Sequence, residues 1–211
     1  MSYELRQYQR GAVDASLRYL RGGYRGNGLL VLPTGSGKSL VIANIIRELG
    51  EPVLVFQPSK EILEQNLAKY ESYGFSAGVF SASVGRKQIY PTTFATIGSV
   101  KAHPDAFKPF RFILIDECHG VNSKGGMYSD FLKALGPGVR ILGLTATPYR
   151  LVTDGFGGSI LKFLTRTRPR VFPDVVYYVQ IADYIMIGTT KRLKQRLSQL
   201  RVSRDDLLAI E

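Results

Sequence analysis

A glycine-rich turn between two apolar segments constrains the fold of this 211-residue chain more than any other feature. The turn reads PTGSGKS over residues 33–39, follows the apolar run 28–32, and precedes an apolar pattern over 38–49 that Gly50 ends. A short apolar run predicts a buried strand, and a broad apolar helical pattern predicts a helix packed on a sheet. We therefore expect the turn to join a strand to the N-terminus of a helix, where backbone N–H groups can bind phosphate.

Predicted strands and helices alternate over roughly the first 150 residues. Further apolar runs that are typical of buried strands lie at 52–56, 77–80, 92–96, 111–115 and 140–144. Helical spacing of apolar residues begins near Gln7 and again after Ser59, which is placed to cap its helix. The alternation predicts an α/β fold with a mainly parallel sheet and helices on both faces, in which ligands bind beyond the carboxyl ends of the strands.

The turn contains the residue types that a phosphate-binding loop (P-loop) needs. Gly35 and Gly37 allow a tight backbone, Lys38 would reach the β- and γ-phosphates, and the Ser39 hydroxyl would bind Mg²⁺. Leu32 stands where the first glycine of the usual pattern belongs, which is a departure from that pattern. The alternative is a glycine-rich turn with a chance Lys-Ser pair, but the flanking strand and helix favour the phosphate loop.

Two adjacent carboxylates, Asp116 and Glu117, follow the strand predicted at 111–115. Asp116 would hold Mg²⁺, partly through water, and Glu117 would position and activate the water that attacks a γ-phosphate. By itself the pair would more simply be a solvated turn after a strand. A phosphate loop in the same chain favours the catalytic interpretation instead.

The charge balance indicates what kind of partner the chain prefers. Lysine and arginine number 28 against 17 aspartate and glutamate residues, a net charge of +11, and the excess is spread along the sequence. Such a balance favours a polyanionic partner, chiefly nucleic acid. No run of about 18 uncharged apolar residues is present and the N-terminus lacks a signal-peptide core, so we expect no membrane span and a cytoplasmic location.

Four motifs, in this order, resemble the first motor domain of a superfamily 2 helicase. They are LRQYQ at 5–9, the phosphate loop at 33–39, DECH at 116–119 and TATPYR at 145–150. The fuller run also resembles the RadD-like bacterial DNA-repair helicases, with the DNA-repair helicase XPB and type I restriction motor subunits as more distant relatives. The resemblance covers about residues 4–151 and implies a RecA-like P-loop NTPase domain that uses ATP and Mg²⁺.

The resemblance implies roles for individual residues. The ATP-binding residues would be Arg6, Gln9, Thr34, Gly35, Ser36, Gly37, Lys38 and Ser39, with Arg6 and Gln9 reading adenine. The residues that couple hydrolysis to nucleic acid would be His119, Thr145 and Thr147. The residues that contact a strand of single-stranded or branched DNA would be Gln57, Pro58, Ser59, Lys60, Thr96, Gly98 and Ser99. A helix cap at Ser59 and an ordinary Gly-Ser turn are the simpler interpretations of the last group.

The domain organisation follows from where the resemblance stops. Residues 1–151 are predicted to form the ATP-binding domain, 152–183 a loop with an extra strand over 174–180, and 184–211 a basic helical segment. The remainder is too short for a second sheet-and-helix lobe, so we expect a partial motor of low activity that lacks its second lobe. The alternatives are a P-loop phosphotransferase of the nucleotide kinase type and a non-catalytic nucleic-acid-binding module on the motor fold.

Overall fold

An eight-stranded, mainly parallel sheet forms the centre of the computed structural model, which describes residues 4–24, 26–122, 125–153, 158–167 and 170–179. Its strands are β1 (Gly28–Val31), β2 (Val53–Phe56), β3 (Gly78–Ser81), β4 (Arg86–Lys87), β5 (Thr92–Ala95), β6 (Phe112–Ile115), β7 (Arg140–Thr145) and β10 (Asp174–Tyr178). Their order is β10-β1-β7-β6-β2-β5-β3-β4, and every neighbouring pair is parallel except β3–β4. The prediction of a mainly parallel sheet is confirmed.

Helices cover both faces of this sheet, as predicted. They are α1 (Gln7–Arg21), α2 (Lys38–Leu49), α3 (Lys60–Ser72), α4 (Ile97–Val100) and α5 (Met127–Leu135). On one face, Leu20, Ile42 and Leu67 of α1 to α3 belong to the same buried cluster as Leu30 and Val55 of the sheet. In the part of the chain that the structure describes, no helix is long and apolar enough to cross a membrane.

The opposite face of the sheet is filled mainly by aromatic side chains. Leu29 and Phe56 of the sheet share a buried cluster there with Phe107, Phe131 and Phe172. The ring of Phe131 meets the rings of Phe56 and Phe107 edge-on, with centroids 5.6 and 5.9 Å apart. Neighbouring residues along a strand point to opposite faces, so helices on both faces shield the strands from water on both sides. Each fully buried side chain of this kind contributes about 1.5–3 kcal/mol to stability, because its apolar surface is removed from water.

An ion pair fixes the start of α1 against α2. The Arg10 guanidinium donates one hydrogen bond to each carboxylate oxygen of Glu48, both at 2.8 Å. These bonds hold the pKa of Glu48 below its usual value. Since Glu48 lies in the last turn of α2, the ion pair joins the N-terminal part of α1 to the C-terminal end of that helix.

The segment after residue 151 holds more structure than a loop and one strand. The predicted extra strand is confirmed as β10, which lies parallel to β1 at the edge of the main sheet. In addition, β8 (Tyr149–Thr153) and β9 (Ser159–Phe163) form an antiparallel pair in which the rings of Tyr149 and Phe163 meet edge-on at 5.3 Å. Residues 180–211, which include the predicted basic helical segment, lie outside the described residues.

Candidate active site

The predicted site residues lie at one edge of the sheet because β1, β7, β6 and β2 are parallel neighbours. Backbone hydrogen bonds continue one residue past the strands and fix where each loop leaves. Leu32 N donates to the Thr145 carbonyl at 2.9 Å, and Asp116 N donates to the Phe56 carbonyl at 3.0 Å. The turn that ends in Lys38, the carboxylates after β6 and the threonines after β7 therefore leave the sheet side by side.

The turn between β1 and α2 has the backbone of a phosphate-binding loop. Gly35 and Gly37 have φ values of 79° and 83°, in the left-handed region that favours glycine. The Gly37 carbonyl accepts hydrogen bonds from the backbone N–H groups of Leu40 and Val41, so α2 begins directly after it. A Cβ at Gly37 would lie 2.6 Å from Gln9 Nε2, so a side chain there would displace the Gln9 amide from the loop.

The start of α1 closes over this turn. Tyr8 Oη and Gln9 Nε2 each donate a hydrogen bond of 2.8 Å to the Ser36 carbonyl, and Gln9 Oε1 accepts one of 2.9 Å from Arg6 N. The structure thus brings Gln9 to the loop, while the Arg6 side chain is exposed. Tyr8 was missed among the candidate site residues, although its place inside the LRQYQ motif was a signal for it.

Lys38 and Glu117 form an ion pair across the site. Glu117 has a φ of 48° and is the one non-glycine residue with positive φ in the described ranges. Such a conformation costs about 1–3 kcal/mol and persists where the surrounding structure imposes it, often at functional sites. The Ser36 hydroxyl is buried with no hydrogen-bond partner among the described residues, so it lacks an acceptor of the kind that a phosphate oxygen offers.

Asn66 of α3 links the helix start to the carboxylates. The Ser39 hydroxyl donates to Asn66 Oδ1 at 2.7 Å, and Asn66 Nδ2 donates to Asp116 Oδ2 at 3.0 Å. Asp116 is 5% exposed, and burial raises its pKa against the opposing effect of the nearby Lys38 cation. Asn66 was missed, although a polar residue between Leu63 and Leu67 on the packed face of a helix was a usable signal.

The oxygens held by Asn66 suit a hard divalent cation. Ser39 offers a hydroxyl and Asp116 a carboxylate, which are ligand types that Mg²⁺ uses. Within the described ranges no group of three or more His, Cys, Asp and Glu side chains could hold a metal. A cation here would take its remaining ligands from phosphate and water, which is the usual pattern for Mg²⁺ at nucleotide sites.

The three predicted coupling residues lie together beside Glu117. His119 Nδ1 is 2.9 Å from Thr145 Oγ1, 3.2 Å from Thr147 Oγ1 and 3.3 Å from Glu117 Oε2. Thr147 N also donates to Thr145 Oγ1 at 3.0 Å. Cys118 is fully buried beneath this group, and burial raises the pKa of its thiol. The end of β7 is therefore joined to the carboxylate turn by side chains as well as by backbone.

The predicted strand contacts form two groups, after β2 and after β5. In the first group Gln57 is buried, and its Oε1 accepts from Asn66 Nδ2 at 2.9 Å, while Pro58 and Lys60 are exposed. Ser59 caps α3 by accepting from Ile62 N at 3.4 Å, as the simpler interpretation expects.

The second group is a set of hydroxyls. Thr96 Oγ1 lies 3.0 Å from Ser99 Oγ and 3.2 Å from Ser81 Oγ, and Gly98 is exposed nearby. Ser99 Oγ also accepts from Ala82 N at 2.8 Å. Ser81 was missed, because only the pairing of β3 with β5 brings it beside Thr96.

Comparison with known proteins identifies the family of the chain. Residues 2–150 match the family described as Type III restriction enzyme, res subunit. The DNA 3'-5' translocase XPB2 of Sulfurisphaera tokodaii is 32% identical over 70% of this chain and 31% of its own length. The QP509L protein of African swine fever virus, whose name describes an ATP-dependent RNA helicase, is 31% identical over 86% of this chain and 37% of its own length.

A solved structure agrees with the observed fold. The UvsW helicase of bacteriophage T4 superimposes with a TM-score of 0.57 and 24% identity, over 69% of this chain and 54% of that chain. This chain spans about a third of the length of the curated relatives it matches. The closer resemblance to RadD-like helicases stays a prediction. Since the family match extends over residues 2–150, the chain belongs to the Type III restriction enzyme res-subunit family, with the first RecA-like motor domain of superfamily 2.

Proposed function

We propose that this chain is the ATP-binding lobe of an ATP-dependent DNA helicase or translocase, which couples ATP hydrolysis to movement along nucleic acid. The observation that carries the proposal is the convergence of Lys38, Ser39, Asp116 and Glu117 at one edge of the sheet. A DNA translocase and an ATP-dependent RNA helicase among the curated relatives, as their names describe them, support the same motor activity.

The loop binds the phosphates of ATP through backbone N–H groups and the N-terminus of α2. The Lys38 ammonium group binds the β- and γ-phosphates, which compete with the Glu117 carboxylate for it. Ser39 and Asp116 would hold Mg²⁺, with Asp116 acting partly through water. When bound, the cation neutralises developing charge on the phosphate oxygens.

Glu117 acts on the water that attacks the γ-phosphate. Once phosphate has taken Lys38, the Glu117 carboxylate is free to accept a hydrogen bond from that water and then its proton. The Glu117 side chain already faces the loop, because it forms an ion pair with Lys38. Coupling to nucleic acid runs through His119, Thr145 and Thr147. The change at Glu117 on ATP binding reaches them because His119 lies within hydrogen-bond distance of Glu117 and of both threonines.

Single-stranded or branched DNA lies across the ends of β2 and β5. There the residues that contact its backbone are Gln57, Pro58, Ser59, Lys60, Thr96, Gly98 and Ser99. Hydroxyls and a helix N-terminus suit phosphate contacts, which position a strand without reading its sequence. The net charge of +11 favours the same polyanion, and binding of this kind weakens steeply with salt.

Replacement of Glu117 by glutamine tests this function, because the amide keeps the shape and loses the base. We expect Glu117→Gln to bind ADP with Mg²⁺ as wild type does and to lose ATP hydrolysis by at least about 100-fold. Radiolabelled phosphate release with single-stranded DNA measures the turnover, and calorimetry measures binding.

Glu71→Gln, an exposed substitution on α3, is the matched control and should leave both quantities unchanged. Wild-type turnover by Glu117→Gln would show that Glu117 is not the base. Loss of nucleotide binding with Glu117→Gln would show that it serves the loop instead.

A further inference from the structure

The side-chain amide of Asn66 joins residues that the proposed function assigns to two different ligands. Its oxygen accepts from Ser39 Oγ at 2.7 Å, and its nitrogen donates to Asp116 Oδ2 at 3.0 Å. The same nitrogen donates to Gln57 Oε1 at 2.9 Å. Ser39 and Asp116 belong to the cation site, whereas Gln57 belongs to the first group of strand contacts.

The chemistry of these partners fixes the orientation of the amide. An ionised Asp116 can only accept hydrogen bonds, so the NH₂ group of Asn66 must face it. The Asn66 oxygen then faces Ser39, whose hydroxyl has to donate its hydrogen to it. Both lone pairs of Ser39 Oγ consequently remain available to a cation.

Both hydrogens of the Asn66 side-chain NH₂ group are engaged in hydrogen bonds. One hydrogen of Asn66 Nδ2 goes to Asp116 and the other to Gln57, so neither residue can turn without breaking a hydrogen bond to Asn66. Gln57 is 1% exposed, and its Nε2 has no hydrogen-bond partner among the residues described. A buried donor without an acceptor costs about 1–3 kcal/mol, so Gln57 is held here by its bond to Asn66 rather than by full satisfaction of its own groups.

We propose that Asn66 is a positioning residue that orients Ser39 and Asp116 for Mg²⁺ and ties both to Gln57 at the strand site. It acts through these residues and does not itself touch nucleotide. The proposal rests on the proposed function, since it requires a nucleotide with Mg²⁺ at the phosphate loop. Hydrogen bonds that orient metal ligands typically change metal affinity by about 10–100-fold when they are removed.

Calorimetric titration of ADP, with Mg²⁺ and with EDTA, tests this role without relying on turnover. In wild type, Mg²⁺ should strengthen ADP binding. In Asn66→Ala the affinity measured in EDTA should stay within about twofold of wild type, while the gain from Mg²⁺ should fall by about tenfold or more. Gln65→Ala, an exposed amide on the same helix, is the matched control and should keep the full gain.

Three results would overturn the proposal or separate it from the proposed function. An unchanged Mg²⁺ gain in Asn66→Ala would overturn it, and so would an equal loss of affinity in Mg²⁺ and in EDTA, which would indicate a merely structural role. Failure of wild type to bind ADP at all would contradict the proposed function instead.

A measurement on wild type keeps the proposal testable if Asn66→Ala does not fold. In ¹⁵N-labelled protein with ADP, the Asn66 side-chain NH₂ resonances should shift when Mg²⁺ is added, because their acceptor Asp116 then faces the cation. The Gln65 side-chain resonances should not move. Equal behaviour of the two amides would overturn the proposal.

Discussion

Gln9 uses both ends of its side-chain amide within the folded chain. Its Nε2 donates to the Ser36 carbonyl and its Oε1 accepts from Arg6 N, so the amide is held over the phosphate loop in one orientation. One Nε2 hydrogen and one Oε1 lone pair remain, and they match the acceptor and donor on the N7 and amine edge of adenine. Guanine presents a carbonyl where adenine presents the amine.

We therefore predict that the chain prefers ADP to GDP by about tenfold or more, the size of one unpaired polar contact. Competition of each nucleotide against a fluorescent ADP analogue measures the ratio. Gln9→Ala should lower the ratio of ADP affinity to GDP affinity toward one. Gln7→Ala, which replaces an exposed glutamine two residues earlier, should leave the ratio unchanged. Equal binding of the two nucleotides by wild type would remove the roles of Gln9 and Arg6 and leave the loop in place.

The residues that sequence reasoning found and missed differ in how they reach the site. Asp116 directly follows an apolar strand, Thr145 ends one, and Lys38 ends the turn that follows another, so a parallel sheet brings them together. Asn66 lies inside a helix and Ser81 at the end of a strand without a motif. Helical spacing places Asn66 on the packed face of α3, but no spacing along the chain specifies which side chains face Asn66 and Ser81 across the fold.

Among the secondary-structure elements, β7 supports the carboxylate turn through a glycine. A Cβ at Gly143 would lie 2.7 Å from Cys118 Sγ and 2.5 Å from Phe172 Cε1. Both neighbours are buried, so neither can move aside without repacking. Cys118 of the DECH turn and Phe172 therefore pack this closely against β7 only because a side chain is absent at Gly143.

Gly143→Ala should destabilise the chain by about 1–3 kcal/mol, as overpacking of a buried site does. Thermal or urea unfolding of the variant against wild type measures the loss. Gly138→Ala is the matched control, since nothing lies within 4 Å of its Cβ position. Equal stability of Gly143→Ala and wild type would show that the turn packs on β7 less closely than described.

The elements that were not predicted fall into two kinds. The helix α5 carries the spacing Tyr128, Phe131, Leu132 and Leu135, so its apolar face was present in the sequence between flanking glycines. The β8–β9 pair was harder to foresee, because it is largely exposed and is stabilised by cross-strand contacts such as Tyr149 with Phe163 rather than by burial.

At the scale of the whole molecule, the proposed function makes the nucleotide edge of the sheet one half of a motor site. Superfamily 2 motors, which the chain resembles, bind ATP between two lobes, and the second lobe supplies an arginine that contributes about 10³–10⁵ in rate in related systems. Translocation also needs two grips on the strand whose separation changes with nucleotide state. The chain spans about a third of its curated relatives.

We predict that these 211 residues alone hydrolyse ATP slowly and do not separate a duplex, while they still bind single-stranded DNA in a salt-sensitive way. A helicase assay at saturating ATP on 3′- and 5′-tailed duplexes checks the first part, and binding at two salt concentrations checks the second. A complete superfamily 2 helicase serves as the positive control. Robust unwinding would contradict the assignment of a single lobe.

The most direct measurement of the central proposal is calorimetric titration of ADP with Mg²⁺ into wild type and Lys38→Ala. Loss of a charged hydrogen bond to phosphate should weaken binding by about 10–100-fold. Lys133→Ala, which removes an exposed lysine of α5 on the other face of the sheet, should bind as wild type does. Equal affinity of wild type and Lys38→Ala would show that the turn at 33–39 is not the nucleotide site.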